Sequence, residues 1–304
     1  GKGTTMTDLT GERPARLSVG VIGSGRVGCA LARALHDAGH RVVAASAMSP
    51  RSVARSREFL PGVPLHTPEG VLERADLVLL TVPDEALPEI VASFTERELW
   101  QAGQIVVHTG LDSGVDVLLP SLRAYTLPVA IHPAMHFSGT LADLDRLRGA
   151  TLAVSTVPEL RAVGEALVIE MGAEPVWVDP QDWPELRAAL RHVSAALGQV
   201  LGEADELLIR AGVESRSRLL TSLTATWTED VLRSGPSRAR LGDANVIRAD
   251  LEALHSVSAG SRAVHAALLR SQLAAAVFDG SVGTGEINEL LDVLGDPRAE
   301  AAGE

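Results

Sequence analysis

A glycine-rich turn between an apolar strand and an amphipathic helix constrains the fold of this chain more than any other feature. Residues 19–22 predict a short buried strand, and Gly23, Gly25 and Gly28 follow it with the spacing G-x-G-x-x-G. In that pattern the first glycine permits a tight turn, the second lets phosphates approach the backbone, and the third lets helix and strand pack closely. The N–H groups at the start of the following helix attract anions. The order of strand, turn and helix therefore predicts a dinucleotide site.

Apolar runs that alternate with helical patterns fill the first 180 residues and predict a parallel sheet. Several runs are nearly continuous in Val, Leu and Ile, as expected for strands that helices cover on both faces. The predicted strands lie at residues 19–22, 41–46, 75–82, 104–108, 127–132, 150–155 and 174–178. We therefore predict an α/β fold with a doubly wound, mostly parallel Rossmann sheet.

Beyond residue 181 the pattern is helical. Asp182 is interpreted as the N-cap of a long helix, with Glu185 completing a capping box. Apolar residues then recur in alternating steps of four and three until Gly212, which is typical of a heptad seam that packs against another helix. The seam comprises Leu186, Leu190, Val193, Leu197, Val200, Ala204, Leu207 and Ala211. We predict an all-helical domain built on one long central helix, and a homodimer through that domain.

The composition of the chain indicates which classes of partner and which cellular compartment to expect. The chain has 27 basic and 39 acidic residues, a net charge of −12, and no Lys/Arg block, which argues against nucleic acid as a partner. The single cysteine, Cys29, fits a reducing cytoplasm, and we expect it to be a small packed residue rather than a nucleophile. No apolar run approaches the length of a membrane span. We expect a cytoplasmic protein without membrane or nucleic-acid partners.

The end of the second predicted strand distinguishes NAD from NADP. An NAD site places Asp or Glu there for the ribose 2′-hydroxyl, whereas an NADP site uses small polar and basic residues for the 2′-phosphate. This chain has no acid between that strand and Glu58, and Ser46, Ser49 and Arg51 offer hydroxyl and guanidinium donors. Since guanidinium groups suit phosphate, the sequence predicts NADP. The alternative is that Arg51 and Arg55 only solvate a helix face.

The carboxyl ends of the predicted strands form the ligand crevice of such a sheet. We predict that the other cofactor contacts come from the glycine turn and from two of these strand ends. They are Gly23, Ser24, Gly25, Arg26, Val27, Thr81, Val82, Pro83, His108 and Thr109. Asp84, which follows Pro83, is interpreted as the cap of the next helix.

Histidines are the candidates for chemistry. His132 ends a buried strand, and its imidazole could donate a proton as a hydride reaches a carbonyl or imine carbon. His192, on the long helix, could bind substrate or transfer a proton. The alternatives are a core histidine bonded to backbone and a solvated helix face. His108, His132 and His136 could instead ligate a metal, but no Cys, Asp or Glu accompanies them at ligand spacing, so we predict no metal.

Several of these motifs resemble one superfamily. Gly23-x-Gly-x-x-Gly, Thr81-Val-Pro-Asp, His108-Thr and the helical second half are similar to the 6-phosphogluconate-dehydrogenase-like group, which includes ketopantoate reductases and pyrroline-5-carboxylate reductases. Residues 106–110, 131–143 and 166–173 more closely resemble an actinobacterial branch that pairs a Rossmann-like domain with a helical dimerisation domain. The resemblance implies NADPH binding, a homodimer and reduction of a small 2-oxo or imino acid, which is a carboxylate-bearing substrate.

The predicted organisation follows from both the patterns and the resemblance. It comprises a disordered leader (1–16), an NADP-binding Rossmann-like domain (17–180), an all-helical dimerisation and substrate domain (181–297) and a tail (298–304).

The chain departs from the superfamily on the long helix, where such enzymes commonly carry Lys and Asn to polarise the substrate. The position of their Asn falls on Ala195, which leaves His192 and Ser194 as the nearest polar groups. Loss of a preorganised donor typically costs about 10²–10³ in rate.

Three hypotheses follow from these residues, the third of them from His108, His132 and His136. The first is an NADPH-dependent reductase of a small 2-oxo acid or imine, with His132 as proton donor, His192 as substrate contact, and Arg187 or Arg191 on the substrate carboxylate. The second is a catalytically impaired NADP-binding pseudoenzyme that acts as a redox sensor or partner subunit. The third is a metal-dependent hydrolase.

Overall fold

The computed structural model describes residues 16–235 and 241–295. The predicted tail and, except for Arg16, the predicted leader lie outside the described residues. No helix in these two ranges is long and apolar enough to cross a membrane.

The first part of the chain alternates strands and helices as predicted. Its strands are β1 (Ser18–Ile22), β2 (Arg41–Ser46), β3 (Leu77–Leu80), β4 (Ile105–His108), β5 (Leu127–Pro133), β6 (Thr151–Thr156) and β7 (Glu174–Trp177). Its helices are α1 (Arg26–Asp37), α2 (Pro50–Phe59), α3 (Pro68–Arg74), α4 (Leu87–Glu96), α5 (Ala142–Leu147) and α6 (Arg161–Glu170). Short 3-10 segments cover Asp84–Ala86, Val115–Ala124, Pro158–Leu160 and Pro180–Asp182.

The seven strands form one sheet in the order β2-β1-β3-β4-β5-β6-β7. All neighbouring pairs are parallel except β5 and β6, which are antiparallel. Alternate strand residues enter two cores, because successive side chains point to opposite faces. Val19, Val21, Leu77 and Leu79 pack with α1 and α6, whereas Val78 and Leu80 pack with α3 and α4. The prediction of a doubly wound, mostly parallel sheet is confirmed.

The second part is helical, with α7 (Trp183–Arg210), α8 (Arg216–Ser234), α9 (Ala244–Val257), α10 (Ala259–Phe278) and α11 (Thr284–Leu294). The long central helix is therefore confirmed, and Gly212, with φ +72°, follows its last turn. The predicted cap needs correction: Asp182 ends a 3-10 turn, and the carboxylate that accepts a backbone bond there is Asp179, from Gln181 N at 3.2 Å.

The chain divides into two compact units after Arg191, inside α7, whereas we predicted a boundary at 180/181. In the second unit α9, α10 and α11 enclose a small apolar core. The middle of the predicted seam stays open, since Val193, Leu197 and Val200 are 53%, 48% and 40% exposed. Helix α8 buries none of its residues.

Candidate functional site

The glycine turn after β1 is held by the end of β3. Gly23 has φ +95°, and its carbonyl accepts a hydrogen bond from Thr81 Oγ1 at 2.6 Å. A Cβ at Gly28 would lie only 2.1 Å from Thr81 Oγ1. Helix α1 therefore comes this close to the end of β3 only because residue 28 has no side chain. The hydroxyl of Thr81 therefore stabilises the turn through this hydrogen bond. Val82, the next residue, is half-buried.

The outer face of this turn fits a pyrophosphate. A Cβ at Gly25 would meet nothing nearer than Thr81 O at 3.9 Å, so the face above Gly25 is open. No side chain caps the N-terminus of α1, which leaves its first N–H groups for an anionic ligand. Arg26 is exposed beside them, and Val27 packs its side chain into the core. The arrangement can bind phosphates through backbone N–H groups.

Two serines that we predicted as cofactor contacts face inward instead. Ser24 is 1% exposed, and its hydroxyl donates to Ser46 O at 2.8 Å. Ser46 is 6% exposed, and its hydroxyl oxygen accepts from Gly23 N at 3.1 Å. Both side chains tie the glycine turn to β2, because the tight turn brings its N–H and hydroxyl groups against that strand. Their hydroxyls are structural, which corrects the prediction.

The start of α2 lies next to this turn. Ser49 caps α2 by accepting from Ser52 N at 3.1 Å, and Arg51 is exposed in the first helical turn. Arg55 Nη1 donates to Ser24 O at 3.2 Å, so a guanidinium reaches the glycine turn itself. We did not include Arg55 among the predicted contacts. Its spacing of one helical turn from Arg51 was the available signal.

Asp84 has a different role from the one we predicted. Its 3-10 segment has no side-chain cap, and Oδ2 accepts from Leu111 N at 2.9 Å and from Asp112 N at 3.0 Å. A Cβ at Gly110 would lie 2.3 Å from Asp84 Oδ1. The carboxylate therefore clamps the loop after β4, and the capping interpretation is wrong. Pro83 is exposed just before it.

His108 is a buried structural residue. Its side chain has no exposed surface, Nε2 donates to Gly114 O at 2.8 Å, and Nδ1 accepts from Gly110 N at 3.2 Å. Burial lowers the pKa of His108 to about 4, so the ring is neutral. With both nitrogens engaged, this imidazole cannot contact a cofactor, which corrects our prediction for its side chain.

His132 lies at the carboxyl end of β5, partly exposed. Its Nδ1 donates to Thr109 O at 2.8 Å, which fixes the tautomer and leaves Nε2 as an acceptor. Burial lowers the pKa of His132. The resting ring is therefore neutral, and it must take up a proton before it can donate one from Nε2. Thr109 contributes through its backbone carbonyl.

The metal-dependent alternative finds no support in the structure. His136 is exposed, whereas His108 is buried and hydrogen-bonded at both nitrogens. Among residues 16–235 and 241–295, no group of three or more His, Cys, Asp or Glu side chains is arranged to hold a metal ion. Cys29 is buried, as expected of a small packed residue, and burial raises the pKa of its thiol to about 11.

The loop after β4 is also bonded to the start of α7. Trp183 Nε1 donates to Leu111 O at 3.0 Å, Arg187 Nη1 donates to Asp112 O at 2.7 Å, and Arg191 pairs with the Asp112 carboxylate. Both arginines that we considered for a substrate carboxylate thus already hold this loop.

His192 and Ala195 are exposed on α7, within the second compact unit. The role of His192 in substrate binding stays a prediction.

Two families match the chain in succession. The family described as a Rossmann-like domain matches residues 4–133. The family described as a domain of unknown function, DUF2520, matches residues 150–271. The junction between the two matches falls after β5, where the sheet changes to its antiparallel pair.

One curated relative is similar over most of the chain. A glycerol-3-phosphate dehydrogenase (NAD(P)+) of Rhodopseudomonas palustris is 29% identical over 255 residues, which are 79% of this chain and 71% of that protein. Four further curated relatives are matched over 46% of their own length or less.

Two solved structures have a similar fold. An imine reductase from Pseudomonas sp. has a TM-score of 0.64 and 20% identity, with 92% of this chain and 100% of that chain covered. A provisionally named NADP oxidoreductase from Bacteroides fragilis has a TM-score of 0.66 and 21% identity, with 84% and 98% covered. At these identities the likeness shows the fold alone.

Proposed function

Because this chain matches the Rossmann-like domain family and then the DUF2520 family, and its motifs resemble the 6-phosphogluconate-dehydrogenase-like superfamily, we propose that it is an NADPH-dependent reductase of that superfamily. The proposed substrate is a small 2-oxo acid or imine. The observation that carries the proposal is the glycine turn. The space above Gly25 is open, and next to it the N-terminus of α1 has no side-chain cap. Oxidoreductases that use NAD or NADP among the relatives support the reaction class.

The choice of NADP over NAD rests on the region around α2. The chain from Ser46 to Arg57 has no carboxylate that would bond a ribose 2′-hydroxyl or repel a 2′-phosphate. Arg51 is exposed in the first turn of α2, and Arg55 reaches the glycine turn through Ser24 O. Guanidinium groups bind phosphate with several N–H donors at once, which favours the phosphorylated cofactor.

His132 is the proposed group at the reacting centre. When bound, NADPH supplies a hydride at its nicotinamide ring. The chain contributes His132 Nε2, which accepts a hydrogen bond from a polar N–H or O–H of the substrate. A protonated imine brings both that N–H and its own proton, whereas a 2-oxo acid needs a proton from His132. The neutral ring therefore favours the imine of the two substrate classes.

A catalytically impaired pseudoenzyme is the second candidate, and Ala195 on α7 favours it. Consumption of NADPH by the purified protein, measured against a panel of 2-oxo acids and cyclic imines, separates the two. Turnover of a cyclic imine supports the reductase. Tight NADPH binding without turnover of any member supports the pseudoenzyme.

The cofactor preference gives a first prediction. Wild-type protein is expected to bind NADPH more tightly than NADH, and Arg51→Ala is expected to weaken NADPH binding about tenfold by removing a charged contact to phosphate. NADH binding should not change, since it lacks the 2′-phosphate. Calorimetric titration with each nucleotide measures both constants.

Arg57→Ala is the matched control, because Arg57 is exposed in the last turn of the same helix. It should leave both constants unchanged. Tighter binding of NADH than NADPH by the wild type would overturn the NADP assignment.

We also propose a homodimer through the helical part of the chain. Seam residues Val193, Leu197 and Val200 are exposed, and a groove of about 280 Å³ between α7, α9 and α10 continues the seam along Val200, Ala204 and Leu207. Apolar residues that recur every three and four positions along a helix are typical of a helix–helix interface, and a two-fold copy would cover them.

The dimer gives a second prediction. Leu197→Glu is expected to convert a dimer into a monomer at micromolar concentration, because a charge would be buried without a partner. Light scattering after size-exclusion chromatography measures the mass. Gly202→Glu, at an exposed position away from the seam, should stay dimeric. A monomeric wild type would contradict the proposal.

A further inference from the structure

The loop that follows β5 is folded around a buried carboxylate. Asp143 has no exposed surface, and its Oδ1 accepts from Ser138 N at 2.9 Å and from Ser138 Oγ at 2.8 Å. Its Oδ2 accepts from Gly139 N at 2.8 Å. Burial opposes ionisation, but these bonds and the nearby Arg146 outweigh burial and lower the pKa of Asp143. An ionised carboxylate therefore fixes the backbone of this loop.

The same loop supports the first residue of α1. Gly139 has φ +82°, and a Cβ there would lie 3.0 Å from Arg26 Cγ, so the stem of Arg26 rests on the glycine. Arg26 Nη1 donates to Phe137 O at 3.4 Å. Phe137 is 6% exposed and belongs to the apolar core between the sheet and helices α1 and α6, which anchors that carbonyl. Both the aliphatic stem and the guanidinium of Arg26 thus contact the loop whose backbone Asp143 holds, the stem at Gly139 and the guanidinium at Phe137.

We infer that Asp143 is a positioning residue for dinucleotide binding, which acts by holding Arg26 beside the start of α1. This rests on the proposed function, since it needs a dinucleotide at the glycine turn. Arg26 directly follows Gly25, and its contact with Phe137 uses only one of the guanidinium nitrogens. A long side chain loses conformational entropy when it binds phosphate, and a supported arginine loses less. Asp143 therefore strengthens a phosphate contact without touching the ligand.

Asp143→Asn tests the inference without any need for turnover. The asparagine amide places a donor where an oxygen now accepts an N–H or O–H group, so the turn should loosen. We expect the Kd for NADPH to rise about tenfold, the usual effect of losing one charged hydrogen bond. NADPH fluorescence titration and calorimetry measure it. Asp145→Asn is the control, because the Asp145 side chain is 80% exposed on the same short helix, and its Kd should match the wild type.

A double-mutant cycle separates positioning from general destabilisation. Arg26→Ala should also weaken NADPH binding about tenfold, and adding Asp143→Asn should weaken it no further, because Asp143 acts through Arg26. Ser138→Ala, at an exposed position, removes one bond to the carboxylate. It should show a smaller loss that likewise vanishes in the Arg26→Ala background, and it decides the question if Asp143→Asn does not fold.

Two results would overturn the inference while leaving the proposed function intact. The first is a Kd for NADPH in folded Asp143→Asn that equals the wild-type value. The second is a double variant, Arg26→Ala with Asp143→Asn, whose rise in Kd is the product of the two single rises. A wild-type protein that binds neither NADPH nor NADH would instead refute the proposed function, so the two failures are distinguishable.

Discussion

Gly25→Val is expected to abolish dinucleotide binding while the protein stays folded. The backbone at Gly25 is extended, with φ −77° and ψ −173°, a conformation that valine adopts freely. Nothing lies nearer to a Cβ there than Thr81 O at 3.9 Å, so a Cβ meets no steric conflict in the protein. It would fill the face on which the phosphates must lie, and we expect the Kd for NADPH to rise at least about 100-fold. Calorimetric titration measures the Kd, and thermal unfolding should give an unchanged Tm.

Gly28→Ala is the contrasting variant at the same turn. Its Cβ would lie 2.1 Å from Thr81 Oγ1 and 2.7 Å from Gly23 O, and the second of these atoms is backbone. The protein should therefore lose stability, because helix α1 must move away from β3. The pair separates the two functions of the glycines, since Gly25 leaves room for the ligand and Gly28 leaves room for packing. Wild-type NADPH affinity in Gly25→Val would show that a dinucleotide does not bind at this turn.

Most of the sheet could be predicted because its signals are local. A strand covered on both faces reads as a continuous apolar run, and Pro or Gly marks its end. Residues 127–132 were predicted as a strand and β5 is Leu127–Pro133, while residues 41–46 match β2 residue for residue. The long helix α7 was also predictable from spacing alone, whereas the packing of its seam against another helix stays a prediction, since Val193, Leu197 and Val200 are exposed.

The details of the site depend on contacts between distant residues, which local patterns do not encode. Asp84 was interpreted as a helix cap from its position after Pro83, but its carboxylate receives N–H groups 27 and 28 residues away. Ser24 and Ser46 carry the right groups for phosphate, yet the Ser24 hydroxyl donates to Ser46 O and the Ser46 hydroxyl accepts from Gly23 N. The sequence shows that these side chains are polar. The direction in which each of them points depends on the tertiary packing around the sheet.

His132→Ala is expected to lower turnover about 10²–10³-fold, the usual effect of removing a group that acts at the reacting centre. The Kd for NADPH should stay within about twofold, because the proposed phosphate contacts come from the glycine turn and not from His132. Steady-state kinetics with the best imine substrate and calorimetric titration of NADPH measure the two effects. His136→Ala is the matched control, since His136 is exposed in the segment that directly follows β5, and its turnover should equal that of the wild type.

The pH dependence tests the protonation state of His132 separately from its presence. Burial lowers the pKa of His132, so the neutral ring with its acceptor Nε2 dominates at neutral pH. If that acceptor serves the reaction, kcat/KM should be flat near neutral pH and should fall on the acid side, as the pH drops through the lowered pKa and Nε2 gains a proton. This acid limb should be missing in His132→Ala, whose residual rate lacks the titrating group. Activity that instead rises as the ring becomes protonated would identify His132 as a proton donor, and unchanged turnover in His132→Ala would remove it from the reaction.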